Sequence, residues 1–292
     1  MGTSASSEGP GGGVPMVPPW VPDPDPPPSP PDQDGDMAPD GDGNDGTQSD
    51  APAQPATQQP MQSPPPIAPA GRFGGARLNL GSFSRHGDQG AMRRGIRDYI
   101  RKGYGGRDTA VRRFGGTATI GSALYGALSS VAGGQAVAPG SLLDPAVLAG
   151  RSAREVMDAI VEAVRPADGT QDAEASRAAI KDALSEVLTM FPDADLLNLT
   201  ADQRDVAIER FVAIDVYRRT ALDIGKTIQD KAPTATVALA RLKEVKDYIK
   251  QTVAAAFRKL RGSGQRLTSG RVNQVIRAAL GETFQVFEAY IL

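Results

Sequence analysis

The chain has 292 residues, a formal net charge of −2, no cysteine and one histidine. This composition excludes disulfides, thiolate nucleophiles and cysteine-based zinc or iron–sulfur sites, and leaves His86 as the one candidate for any histidine-dependent triad. The near-neutral total conceals three zones: residues 1–71 carry ten acidic and no basic side chains, residues 72–113 carry eleven Arg or Lys against three Asp, and residues 114–292 balance at 21 of each.

Nineteen of the 24 prolines fall in residues 1–71. Proline lacks a backbone donor and fixes φ, and too little bulky apolar matter accompanies it to offset the entropy of ordering. This segment is therefore expected to be a disordered, acidic tail. Residues 1–13 have neither the positive start nor the apolar run of a secretory signal peptide. Gly2 follows Met1, so trimming of Met1 would expose an unhindered amine with a pKa of about 8. The M-G-x-x-x-S pattern over residues 1–6 fits myristoylation, but no basic cluster follows to reinforce a single lipid chain. Residues 14–31 favour the extended polyproline helix and contain Trp20, the only tryptophan. Trp20 is either incidental or an anchor, because an aromatic ring on a pre-extended segment docks at low entropic cost. Residues 32–50 alternate Asp with Gly but lack the spacing and closing Glu of a calcium loop.

Residues 72–90 are rich in Gly and Ser and read as a structured loop, pinned by Phe73, Leu78, Leu80 and Phe83. Residues 89–101 form an amphipathic helix with Met92, Ile96, Tyr99 and Ile100 inward. Arg93, Arg94, Arg97 and Arg101 occupy its remaining faces. Three readings of these arginines stand side by side. They form a solvated face, they hold an acidic partner or the chain's own acidic tail, or they bind nucleic acid. The glycines of residues 103–106 end that helix, and Asp108 or Thr109 is placed to cap the next. No nucleotide-cradling glycine motif is present.

Residues 114–143 carry no charge but include many Gly, Ser and Thr, so a buried helix over 117–131 is expected and not a membrane span. Ser152 with Glu155, and Thr200 with Gln203, have capping-box spacing. Helices are expected after each box, over 173–191, and from 201 to about 229, the last apolar on several sides and so central. Gly225 is a candidate bend in it. Pro233 opens a further helix with Leu242, Val245, Ile249, Val253, Ala256 and Leu260 inward. Ser269 is placed to cap a last helix carrying Val272, Val275, Ile276, Ala279, Leu280, Phe284 and Phe287. Asp223 with Asp230, and Asp215 with Arg218 and Arg219, read as helix-face groups explained by solvation and i,i+4 pairing, while Tyr217 beside Asp215, Arg218 and Arg219 could line a polar pocket. The fold class is thus mainly α: a tail over 1–71, a basic loop-and-helix junction over 72–116, and a helical body over 117–292 packed with the junction as one domain.

The opening MGTSASSEGPGGGVPMVPPW, the junction motifs GRFGGAR, LGSF, RKGYGG and RRFGGT, and the closing FEAYIL resemble the B component of the bacterial Qat anti-phage defence system. The resemblance implies a cytoplasmic, non-enzymatic protein of a four-gene cassette, without cofactor or metal. The other members resemble an ATPase, a 7-cyano-7-deazaguanine-synthase-like enzyme and a TatD-like nuclease. It further implies that Gly2 is the acceptor of a deazaguanine group, with Thr3 and Ser4 read by the synthase-like partner. Trp20, Arg93, Arg94, Arg97 and Arg101 are the expected partner contacts. The alternative is a nucleic-acid-binding or scaffolding adaptor working through the arginine-rich junction.

Overall fold

Apolar side chains recurring at three- and four-residue intervals make helices that bury one stripe each. The computed structural model describes residues 71–133 and 140–290, and among them every regular element is helical. The expectations for residues 1–70, including those for Gly2, Thr3, Ser4 and Trp20, lie outside the described residues. The described residues belong to one unit of the chain, Pro64–Leu292.

The order is α1 (Gly74–His86), α2 (Gln89–Asp98), a π-helical turn (Tyr99–Gly103), α3 (Arg107–Arg113), α4 (Gly115–Ala132), α5 (Pro145–Leu148), α6 (Ala153–Val164) and α7 (Gln171–Met190). Then come α8 (Ala201–Thr220), a second π-helical turn (Ala221–Gly225), α9 (Lys226–Lys231), α10 (Ala235–Gly262) and α11 (Val272–Glu288). Both capping boxes form: Ser152 and Glu155 cap α6, and Thr200 and Gln203 cap α8. The helix expected from 201 to about 229 runs without a break to Lys231, but its hydrogen-bond ladder widens over Ala221–Gly225. Thr234 caps α10, and the cap position of α11 is Arg271, not Ser269. Asp108 and Thr109 do not cap α3; Glu288 Oε1 instead accepts from the Arg107 N–H at 3.0 Å.

The loop expected over 72–90 is mostly helix. Ala76, Leu80, Phe83 and Ser84 fall at i, i+4, i+7 and i+8 and are all buried, so tertiary packing overrides the poor propensity of the glycines. Leu78 lies off that stripe and is 73% exposed, so it does not pin the segment. α1 and α2 pack closely as a hairpin across Gly87, whose φ of 75° needs no side chain. The approach depends on Gly95, where a Cβ would lie 2.6 Å from Leu80 Cγ.

α8 is central. It packs on α7, α10 and α4 and buries Ala207, Ile208, Phe211, Val212, Ile214 and Val216. α11 covers α4, α3 and α10 with the expected stripe from Val272 to Phe287. α1 lies on α9, where Ser84 Oγ donates to the Ile228 carbonyl at 2.6 Å. The hydrophobic core runs from Phe73 to Phe287 without a gap between the basic helices and the rest.

Candidate functional site

Two π-helical turns meet at one place. A π turn adds a residue to a helix and brings side chains five apart towards the same side. Tyr99 and Tyr104 are so related: the Tyr104 N–H donates to the Tyr99 carbonyl at 3.1 Å. Both hydroxyls donate to Asp223 Oδ2, at 2.8 Å and 2.9 Å, and Asp223 sits in the other π turn. Gly103 makes room for Phe73, whose ring would come within 2.4 Å of a Cβ there. Phe73 stacks on Tyr99 at 5.2 Å, Tyr99 meets Tyr104 edge-on at 5.1 Å, and Tyr104 packs on Phe114 at 5.4 Å. Burial holds the Tyr99 phenol well above its ordinary pKa and raises that of Tyr104 to about 12. Both tyrosines are therefore neutral donors at physiological pH.

One turn back along α8 from Asp223 is Arg219, and one turn further is Asp215. Asp215 is fully buried, against the expected solvation, while the expected i,i+4 pairing with Arg219 does form. Its oxygens accept from Thr117 Oγ1 of α4 at 2.6 Å, Ser176 Oγ of α7 at 2.7 Å and Arg219 Nε at 3.3 Å. Arg219 also lies 5.6 Å from the Phe114 ring centre. The buried aspartate thus holds the Nε edge of the guanidinium of Arg219, a residue that lines a cavity of about 250 Å³. Arg72, Tyr104, Arg113, Asp172, Arg219, Leu222 and Asp223 line that cavity. Arg72 is held from below, its guanidinium 4.4 Å over the Phe73 ring.

Beyond Leu222 a second, larger space opens between α7, α8, α9 and α10, about 660 Å³ in volume. Tyr217, Arg218, Leu222, Lys226 and Leu242 line it, with Glu174 and Gln171. Tyr217 does reach a pocket with Arg218, but Asp215 and Arg219 point elsewhere. Arg218 is braced by Asp182 at 2.7 Å.

The four arginines singled out from the sequence lie on α2 and the first π turn, and most are engaged by their own surface. Arg93 stands over the rings of Tyr248 and Tyr290, at 5.9 Å and 5.6 Å. Arg94 pairs with Asp88 at 3.1 Å. Arg97 pairs with Asp98 at 3.2 Å and donates to the Tyr290 carbonyl at 3.4 Å. Arg101 is exposed and donates no hydrogen bond among the described residues. Asp98 is only 3% exposed and also accepts from Asn79 and Lys102. The basic charge of this region is thus partly neutralised in place. Among the described residues no group of three or more His, Asp or Glu is arranged to hold a metal ion. No described helix is long and apolar enough to cross a membrane.

The comparisons bear on this architecture. Residues 105–287 match the family described as Qat anti-phage system associated protein QatB. The chain belongs to the QatB family. The matched span covers α3 to α11 as far as Phe287 and includes Arg113, Asp172, Asp215, Arg219 and Asp223, whereas α1, α2 and the first π turn precede it. No curated protein and no solved structure matches the chain.

The residues missed in the sequence are those that act in concert. Asp215, Arg219 and Asp223 stand at i, i+4 and i+8, a spacing that puts two carboxylates and a guanidinium on one helix side. That was a usable signal. Nothing local distinguishes it from a solvated ion-pair row, because Thr117 and Ser176 come from other helices.

Proposed function

We propose that this protein serves the Qat system as a non-enzymatic component that partner proteins bind and modify. The observation that carries the reading is its membership of a family described as an associated protein of that anti-phage system. The chemistry of the ends of the chain supports the finer part of it. Gly2 offers an amine that no Cβ hinders, and with a pKa of about 8 a useful fraction is unprotonated at neutral pH, unlike lysine at about 10.4. The deazaguanine-synthase-like member of the cassette is the proposed modifying partner, joining its group to that amine. The proline-rich stretch over 14–31 would carry Gly2, Thr3 and Ser4 away from the helices, with Trp20 as a docking anchor. The ATPase and the TatD-like nuclease of the cassette are further candidate partners, and Arg93, Arg94, Arg97 and Arg101 supply a basic face for an acidic one.

The test is mass spectrometry of the protein purified from cells that carry the whole cassette, beside cells lacking the synthase-like gene. The first proteolytic fragment should begin at Gly2 and be heavier only in the former. Gly2→Pro should abolish the added mass, because a hindered secondary amine replaces the primary one. A fragment with unmodified Gly2 in both strains, together with undiminished phage protection by the Gly2→Pro variant, overturns the proposal.

A further inference from the structure

The cavity between the two π turns has the makings of a binding site that the modification of Gly2 does not use. Three arginines line it, Arg72, Arg113 and Arg219. They come from three separated parts of the chain: two residues before α1, the end of α3 and the end of α8. Surface arginines on neighbouring helices ordinarily settle onto the nearest carboxylate. Here Asp172 and Asp223 share the cavity wall, yet no ion pair within 4.0 Å joins either of them to the three arginines. Asp223 instead spends Oδ2 on the two tyrosines. Arg219 spends only its Nε, on Asp215, and its two terminal nitrogens donate no hydrogen bond among the described residues. Arg72 and Arg113 likewise donate none among them.

Two of the three arginines are held in place. The Nε edge of the Arg219 guanidinium is held by a fully buried carboxylate, and the Arg72 guanidinium rests on an aromatic face. A pre-set guanidinium loses less entropy on binding than a free one. Three arginines around one small space suit an acceptor with three or more oxygens and more than one negative charge. A phosphate group meets that description better than a carboxylate, which one fork already saturates. Leu222 lines both the cavity of about 250 Å³ and the groove of about 660 Å³, where Tyr217 and Leu242 provide apolar surface. Together they fall in the size range of small-molecule sites, roughly 300–1,000 Å³.

We infer that the paired π turns form a binding site for a phosphorylated small molecule. The phosphate seats among Arg72, Arg113 and Arg219, and the remainder of the ligand lies over Leu222 towards Tyr217. Asp223 and Asp172 face the same space as acceptors, so N–H or O–H groups close to the phosphate would find partners there. The site does not depend on the fate of Gly2.

Calorimetric titration of the full chain tests this with inorganic phosphate, ribose 5-phosphate and the four nucleoside monophosphates, each beside its unphosphorylated counterpart. Saturable binding of at least one phosphorylated ligand is expected, with the counterpart at least about tenfold weaker. The ligand that binds tightest identifies the source: free phosphate, a sugar phosphate or a nucleotide. Arg72→Gln and Arg113→Gln should each weaken that binding about tenfold or more while leaving the thermal midpoint nearly unchanged, since neither side chain holds the fold together. Arg101→Gln, outside the cavity, should leave it unaltered. Absence of saturable binding for every phosphorylated probe up to about 10 mM overturns the inference. So does binding that the Arg72 and Arg113 variants retain in full, or that the Arg101 variant loses equally, for a diffuse basic surface would then be responsible.

Discussion

Two carboxylates on one helix, two turns apart, have opposite fates. Asp215 is sealed between α4, α7 and α8, with hydroxyl donors on both oxygens and an arginine across one. Asp223 lies at the rim, with both tyrosines on a single oxygen. The first ties three helices together, and the second shapes the wall of an open cavity. The difference comes from the neighbours and not from the residue type. A carboxylate reached by short hydroxyl side chains from two helices can be dry. One reached by long phenols stays at the edge, because the rings themselves occupy the interior.

The largest effect should follow from removing the buried group. Asp215→Ala leaves Arg219, Thr117 and Ser176 without their acceptor, and breaking a partly buried charge network of this kind costs about 3–5 kcal/mol. Urea unfolding should register that loss, whereas Asp223→Asn should cost only about 1 kcal/mol, because an amide oxygen can still accept from the tyrosines. Equal losses for the two variants would dissolve the distinction drawn between them.

Next in size is the contact that seats the basic hairpin beside the cavity. A methyl at position 95 would lie 2.6 Å from Leu80 Cγ, and overpacking of this kind costs about 1–3 kcal/mol. Gly95→Ala should therefore lower the unfolding midpoint, and Gly95→Ala with Leu80→Ala in one chain should lose less than the sum of the two single variants, since the truncated side chain no longer meets the added methyl. If Gly95→Ala is neutral or stabilising, α1 and α2 are not in close contact.

Most of the helical order could be read from the chain because its signals are local. The capping boxes at Ser152 and Thr200 and the stripe from Val272 to Phe287 each depend on residues within a turn or two, and all three form as expected. α1 escaped because its glycines speak for a loop, and only packing on α2 and α9 outweighs them. The site escaped for a different reason. Tyr99 was recognised as an inward residue, and it is 1% exposed, but its hydroxyl finds Asp223 124 residues away. A π turn shifts the helical phase by one residue, which no periodicity count over a short window detects. The described residues carry no test of Gly2, Thr3, Ser4 or Trp20.

A smaller effect concerns pH and sharpens the rim side of the comparison. Burial raises the Tyr104 pKa from 10.0 to about 12, and that of Tyr99 also lies well above its ordinary value. Below pH 10 both folded and unfolded chains keep these protons, and the stabilisation is complete. Between pH 10 and about 12 the unfolded chain releases them first, so stability should fall as pH rises through that window. Tyr104→Phe removes one of the two titrating groups and should flatten the fall, as followed by denaturant midpoints at stepped alkaline pH. An unchanged slope in that variant would mean that other groups control the alkaline limit.

The smallest effect on stability should come from the arginines of α2, and it separates their role from that of the cavity arginines. Arg94 and Arg97 keep 27% and 21% side-chain exposure in their ion pairs, while Arg93 and Arg101 are exposed. Exposed pairs contribute about 0–1 kcal/mol each, so Gln at positions 93, 94 and 101 should shift the unfolding free energy by about 1 kcal/mol at most; the fourfold variant also takes Arg97 from the buried Asp98, which Asn79 and Lys102 still partner. Any larger loss from the first three would make them structural. Binding is the sharper measurement. If this face holds an acidic partner from the cassette, co-purification should weaken in the fourfold variant and with rising salt, because exposed charges are screened over about 10 Å at 0.1 M. Phosphate binding at Arg72, Arg113 and Arg219 should persist in the same variant. If the wild-type chain binds DNA at physiological salt and the fourfold variant does not, the face reads nucleic acid instead. If neither partner nor DNA distinguishes the two chains, the arginines serve only their own surface, as the Asp88, Asp98 and Tyr290 contacts already allow.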